Sequence, residues 1–246
     1  MSSGEATTAS AGETILRTNQ LTKHFGSFIA LNATSLQLTR GECLTVFGRN
    51  GAGKTTLLKI IATLIRSYTG DVYLFDQELK KAGGDIRRRI GFVSHDSFLY
   101  EDLPVLDNLI FYARLYRLDD PPGRARRTID DMGLEAKTAT PVRSLSRGMK
   151  QRLSLGRAFI HEPELLLLDE PFTGLDESAA DLLDGRIARF KEGGGSLMMA
   201  THNAERGWRH ADHIAVLDRG TVVYESAVSD TSFDAFHATY RDILSS

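Results

Sequence analysis

The chain holds one cysteine, Cys43, in 246 residues. A lone thiol excludes an intramolecular disulfide and leaves packing and hydrogen bonds to hold the fold. Lying in the apolar stretch Glu42-Cys43-Leu44-Thr45-Val46-Phe47, it reads as a small buried side chain and suits a reducing compartment. No run of about 18 apolar residues occurs, so no segment is expected to cross a bilayer as a helix, and any membrane role must be borrowed from another chain. Charge of one sign is also missing. A net charge of −2 and a pI near 6.4 lack the basic excess of chains that bind a phosphate backbone, and no nucleic-acid partner is expected. The opening residues, rich in Ser, Ala, Thr and Gly, have neither the basic start nor the apolar core of a secretory signal, and residues 1–13 read as a disordered leader. Internal repeats and Cys/His metal-ligand spacings are absent.

What the chain does have is glycine at particular places. Gly48-Arg49-Asn50-Gly51-Ala52-Gly53-Lys54-Thr55-Thr56 is a glycine, four free positions, then Gly-Lys-Thr. Glycines let successive backbone N–H groups turn inward on an anion, the lysine adds a mobile charge for outer phosphates, and the Thr55 hydroxyl can serve Mg²⁺. The flanks are the required ones: Glu42 to Phe47 reads as a buried strand and Thr55 to Ile65 as a helix. Upstream, Ile15 to Leu21 and Leu31 to Leu38 read as strands. Between them lies Lys23-His24-Phe25-Gly26, where Phe25 fits either a stack on a purine or packing in the sheet.

Downstream, Asp71 to Phe75 and Ile90 to Val93 read as strands. Leu106, Leu109, Ile110, Ala113 and Tyr116 then recur at helical spacing from Val105 to about Leu118; further helices are expected over Gly123 to Met132 and from Ser146 to His161. The pattern is a helical insertion of about residues 98–161 in an α/β domain spanning 14–228, followed by a helical tail over 229–246. Leu165-Leu166-Leu167-Leu168-Asp169-Glu170 reads as a strand buried on both faces with acids at its carboxyl end. There Asp169 can hold Mg²⁺, and Glu170, pointing the other way on an extended chain, can address a water. A helix over Ser178 to Phe190, a strand Leu197 to Ala200 ending in Thr201-His202, and a strand Ile214 to Leu217 with a hairpin to Tyr224 continue the pattern.

Just upstream of the acidic strand, Leu145-Ser146-Arg147-Gly148-Met149-Lys150-Gln151-Arg152 resembles the signature motif of ATP-binding cassette (ABC) ATPases, and from about Thr14 to Tyr224 the motifs stand in that family's order. The resemblance implies an α/β fold: a P-loop NTPase core with an N-terminal antiparallel β segment and an inserted α-helical subdomain. It implies ATP and Mg²⁺ as ligands, with Gly48, Arg49, Asn50, Gly51, Ala52, Gly53, Lys54, Thr55 and Thr56 around the phosphates, Phe25 on the adenine, and Thr55 and Asp169 on the metal. By position, Glu170 resembles the family's general base, His202 its switch histidine, and Asp176 the loop aspartate that communicates across a dimer. Ser146, Arg147, Gly148 and Met149 would meet the γ-phosphate held by a second copy or a paired ATPase subunit, with Ser146 capping the helix. The family usually has glycine and glutamine where this chain has Arg147 and Met149, a change that leaves the backbone contact in place.

His95 stands where the family commonly has a glutamine. Two readings stay open: one ring nitrogen contacts the Mg²⁺ shell or a water, or the ring lines the contact with a transporter. His95, Leu99-Tyr100-Glu101-Asp102-Leu103 and Asn108-Leu109-Ile110-Phe111-Tyr112 also resemble ATP-binding subunits of haem exporters of the cytochrome c maturation type; closely similar wording occurs in exporters of drugs, lipids and polysaccharides. The implied function is an ATPase that drives transport, leaning to export, through a separate integral membrane permease that holds it at the cytoplasmic face of the cell membrane. The competing expectation is a soluble ABC ATPase of DNA repair or the ribosome, types that usually carry long coiled-coil insertions or a second cassette. The arginine groups at 87–89 and at 124, 126 and 127 read as solvated faces, with lipid headgroups or a permease loop as the other reading.

Overall fold

A computed structural model describes residues 12–94 and 96–245. Strands β1 (Thr14–Phe25) and β2 (Phe28–Thr39) pair antiparallel across a tight turn at Gly26-Ser27 that sets Phe25 opposite Phe28. Both run past the apolar stretches visible in the sequence, because register shifts along the pair let partly exposed residues keep their partners. With β4 (Thr69–Leu74) and β5 (Gln77–Glu78) they form a sheet of order β2-β1-β4-β5. The second sheet has the order β10-β9-β3-β8-β7-β6, built from β3 (Cys43–Phe47), β6 (Ile90–Val93), β7 (Leu165–Asp169), β8 (Ser196–Thr201), β9 (His213–Asp218) and β10 (Thr221–Ala227). From β9 to β6 its neighbours are parallel, and β10 closes the edge as an antiparallel hairpin.

Alternation along these central strands divides the core. Leu165 and Leu167 of β7, with Met198 and Ala200 of β8, face the cluster that holds helix α1 (Lys54–Ile61) and the first sheet. Leu166 and Leu168, with Leu197, Met199 and Cys43, face the opposite cluster, shared with α2 (Val105–Leu115), α3 (Pro121–Asp131), α4 (Arg147–Phe159) and α5 (Glu177–Glu192). A run of four leucines is therefore two interleaved apolar faces, as a doubly covered parallel strand requires. A third cluster forms where Phe47 and Val216 meet α6 (Ala204–His210) and α7 (Phe233–Ser245) through Trp208, Phe236 and Tyr240.

Several ends differ from the apolar pattern for local reasons. Helix α1 stops at Ile61 rather than Ile65: Thr63 turns left-handed (φ 64°), and the Leu64 and Ile65 amides fold back onto the Lys59 carbonyl. Helix α3 starts at Pro121, where Asp120 caps the Gly123 amide and proline needs no donor. Helix α6 has seven residues, too few for a readable apolar period, and is marked only by the Asn203 cap. Of the expected leader only Gly12 and Glu13 lie within the described residues, and Glu13 is tied to Arg40 at 2.7 and 3.0 Å. Among the described residues no helix is long and apolar enough to cross a membrane.

Candidate functional site

The glycine loop turns sharply between β3 and α1. A Cβ on Gly48 would stand 2.2 Å from the Leu217 carbonyl oxygen, and one on Gly53 would stand 2.3 Å from that of Ala30, with both residues at positive φ. Glycine is required at both places by close backbone approach. The turn delivers Lys54 to the first position of α1, whose first turn carries no acid and so opposes no anion. Lys54 is buried, its ammonium donating to the Gly48 carbonyl at 2.6 Å and the Arg49 carbonyl at 3.1 Å. Burial lowers its pKa, and Glu170 and Asp169 oppose that shift. Above the loop lies a cavity of about 340 Å³ lined by Phe28, Ala30, the residues from Arg49 to Thr56, and Glu170.

Parallel pairing brings the acids to this loop. Register sets Asp169 opposite Ala200, so Glu170 and Thr201 leave neighbouring strand ends side by side. Glu170 does not continue the strand: its φ is 49°, a left-handed turn, and its amide donates to the Ala200 carbonyl at 2.8 Å. The expectation that the two carboxylates diverge by strand alternation is corrected here, because the turn rather than the pleat aims Glu170. The Thr201 hydroxyl donates to Oε2 of Glu170 at 3.0 Å. Oε1 is buried without an aligned hydrogen bond, 2.9 Å from Nδ1 of His202 and 3.5 Å from Nζ of Lys54. His202 itself is more than half exposed.

Asp169 is buried, which raises its pKa; hydrogen bonding from Thr55 and the charge of Lys54 pull it back. Among the described residues its Oδ1 has no hydrogen-bond partner. A buried carboxylate oxygen left unbonded beside a threonine hydroxyl is a hard oxygen donor set that fits Mg²⁺.

The remaining expected residues fall in separate places. Ser146 caps α4 by accepting from the Met149 amide at 3.3 Å, and Ser146 and Gly148 are not among the residues lining their own chain's phosphate cavity. The Arg147 guanidinium packs on Gly174 and lines a second cavity, about 180 Å³, with Asp169, Glu170 and Thr173 of its own chain. Asp176 caps α5, accepting from the Ala179 amide at 2.8 Å. Phe25 is not among the residues lining the phosphate cavity; its hairpin partner Phe28 is, 58% exposed, while Phe25 lies under the Lys23 ammonium at 4.7 Å. His95 lies outside the described residues. Sequence reasoning missed Phe28, Thr201 and Tyr240, which is buried against Phe47 with its hydroxyl at the Gly48 backbone. The two-residue turn was the available signal for Phe28. Tyr240, far along the chain, had none.

Strand, glycine loop and helix, with paired carboxylates at the end of a parallel strand two places along the same sheet, define an ATP-hydrolysing P-loop site. The ABC transporter family model matches residues 31–173. The chain is 32% identical over 218 residues to the Nod factor export ATP-binding protein I of Cupriavidus pinatubonensis, covering 88% of this chain and 67% of that protein. It is also 32% identical over 224 residues to the probable multidrug ABC transporter ATP-binding protein YbhF of Escherichia coli, covering 89% of this chain and 38% of that protein. Among solved structures, an ATP-binding subunit of an ABC transporter superposes with a TM-score of 0.83 at 27% identity, covering 93% of this chain and all of that one (100%). A dimeric ATP-binding cassette in a post-hydrolysis state with ADP and Pi superposes with a TM-score of 0.80 at 26% identity, covering 87% and 99%. The chain therefore belongs to the ABC transporter family, as an ATP-binding and ATP-hydrolysing subunit.

Proposed function

We propose that this subunit hydrolyses Mg-ATP in a sandwich dimer and drives export through a separate membrane permease. The observation that carries the catalytic part is the posture of Glu170. Thr201 fixes one carboxylate oxygen and leaves the other, Oε1, buried and unbonded between Lys54 and His202. Such a carboxylate is placed to take the proton of an attacking water. Lys54 exchanges its loop carbonyls for phosphate oxygens, the loop amides orient the phosphates, and His202 steadies Glu170 from the exposed side. Asp169 and the Thr55 hydroxyl would hold Mg²⁺, which when bound offsets charge on the outer phosphates. The start of α4, where Ser146 is exposed and Gly148 half-buried, offers amides to the γ-phosphate of a second copy. Phe28, on the cavity wall, joins Phe25 as a candidate for the adenine face.

Support for the permease is an exposed apolar face around α2: Leu64, Phe98, Tyr100, Leu103, Phe111 and Leu115 are each between 37% and 59% exposed. Apolar residues gathered in this way mark a protein contact. The names of the relatives, Nod factor export and multidrug transport, support export; in that role the chain works at the cytoplasmic face of its permease. Haem as cargo rests on the wording of residues 95–112 alone. The test is sedimentation of Glu170→Gln with saturating Mg-ATP: the variant binds ATP and accumulates as a dimer, and a variant that stays monomeric rejects the sandwich.

A further inference from the structure

Half-buried and buried arginines in this chain generally meet an acid. Arg89 pairs with Glu164 at 2.5 Å, Arg206 with Asp184 at 2.6 Å and Arg186 with Asp131 at 3.3 Å. Arg157, on α4, is more deeply buried than these, only 6% exposed, and meets none among the described residues. Its guanidinium donates to the Phe92 carbonyl, lies 5.3 Å over the Phe98 ring and 5.5 Å over the Tyr112 ring, and leaves Nε with no acceptor. Burial holds its pKa below the usual arginine value, the direction expected of a cation whose charge is poorly compensated.

Beside it is a cavity of about 170 Å³ walled by Leu64, Phe92, Phe98, Tyr112 and Tyr116, with Arg157 on the wall. That volume is below the roughly 300–1,000 Å³ of small-molecule sites and suits one inserted side chain. Its mouth is bounded by the exposed apolar residues Leu64 and Phe98. A second cation, Arg87, lines the same cavity, with its Nε donating to the Thr63 hydroxyl at 2.7 Å, and no acid among the described residues lines it.

We propose that this cavity receives an acidic side chain, flanked by apolar residues, from a cytoplasmic segment of the permease, and that Arg157 is its counter-ion. The proposal rests on the permease reading above and adds the chemistry of the contact. An apolar tip without an acid covers Arg157 and leaves its charge unpaired, whereas an acidic tip pairs it where water is excluded. The groove therefore selects its partner by a carboxylate, and the aromatic walls supply the contact area.

The experiment places p-benzoylphenylalanine at Leu64 in the otherwise unchanged chain, made in cells that carry its own transporter. Membranes are irradiated and the crosslinked peptide is read by mass spectrometry. The expected product is a segment of an integral membrane protein with Asp or Glu within a few residues of the crosslink. Changing that acid to its amide lowers the yield at least tenfold, and Arg157→Leu does the same with ATP binding retained. Because the acid-to-amide change leaves this chain untouched, it reads the pairing even if Arg157→Leu fails to fold. A crosslinked membrane segment without an acid, or an amide change that leaves the yield intact, overturns the carboxylate pairing while the permease reading stands. A crosslink to a soluble protein alone, or to none, overturns both.

Discussion

The phosphate-loop site and the groove beside α2 each bury a cation, and they surround it in opposite ways. Lys54 is enclosed by polar groups of its own chain: two loop carbonyls, the Glu170 carboxylate at 3.5 Å and Asp169. Arg157 is enclosed, among the described residues, by aromatic faces and the Phe92 carbonyl. In the first arrangement the chain itself compensates the cation, and in the proposed reaction a phosphate exchanges one set of oxygens for another while the site stays organised for chemistry. The second is unbalanced, and its missing charge comes from outside. Charge compensation within the chain marks the place where a reaction is prepared; its absence marks a place where a partner is read.

The contrast breaks first at Glu170. Glu170→Gln removes the proposed base and is expected to leave the fold and the groove alone, so hydrolysis should fall by about a thousandfold, or ~4 kcal/mol in barrier. A phosphate-release assay checks the rate and a thermal melt checks the fold; a loss below tenfold assigns the base elsewhere.

On the groove side the largest effect is a pH dependence. His161 stacks on Tyr116 at 3.8 Å, its Nε2 lies 2.9 Å from the Ile90 carbonyl, and burial pushes its pKa down to about 4. The unfolded chain protonates this histidine from about pH 6.5 downward and the folded chain only near 4. Stability is therefore fully present above pH 6.5 and is lost as pH falls toward 4, by about 3 kcal/mol. His161→Phe keeps a stacked ring and is expected to flatten that slope in urea titrations run across the same pH range; an unchanged slope places the acid sensitivity in other groups.

Asp176 gives a smaller number. As the cap of α5 it should contribute about 1 kcal/mol, read as a shifted urea midpoint in Asp176→Ala. ATP-dependent dimerisation measured on the same variant separates a structural cap from a residue that also signals across the dimer. Smallest of all is Leu64→Ala on the groove rim. With Leu64 51% exposed, the isolated chain should lose no more than about 0.5 kcal/mol and keep its ATPase rate, while membrane association weakens. A large loss of stability would make this rim part of the core.

Much of the fold was legible because the signals are local. Gly48 to Thr56 between an apolar strand and a helix, four leucines ending in two acids, and Ser146 before an amphipathic helix each declare their geometry within a few residues. The apolar period does not locate the helix ends at Ile61 and Pro121, because one left-handed residue and one cap override it there. Hydropathy does not single out Phe28, because hairpin pairing decides whether it or Phe25 lines the phosphate cavity.

Residue order alone dictates the phosphate loop, the doubly covered strand and the family, since those rest on backbone freedom and on periods of two and 3.6 residues. Tertiary structure decides that Glu170 turns out of its strand into the hold of Thr201, that Tyr240 seats against the start of the loop, and that Arg157 is buried without an acid among the described residues. Those outcomes depend on which distant segments share a surface, and on how completely they exclude water from the groups between them.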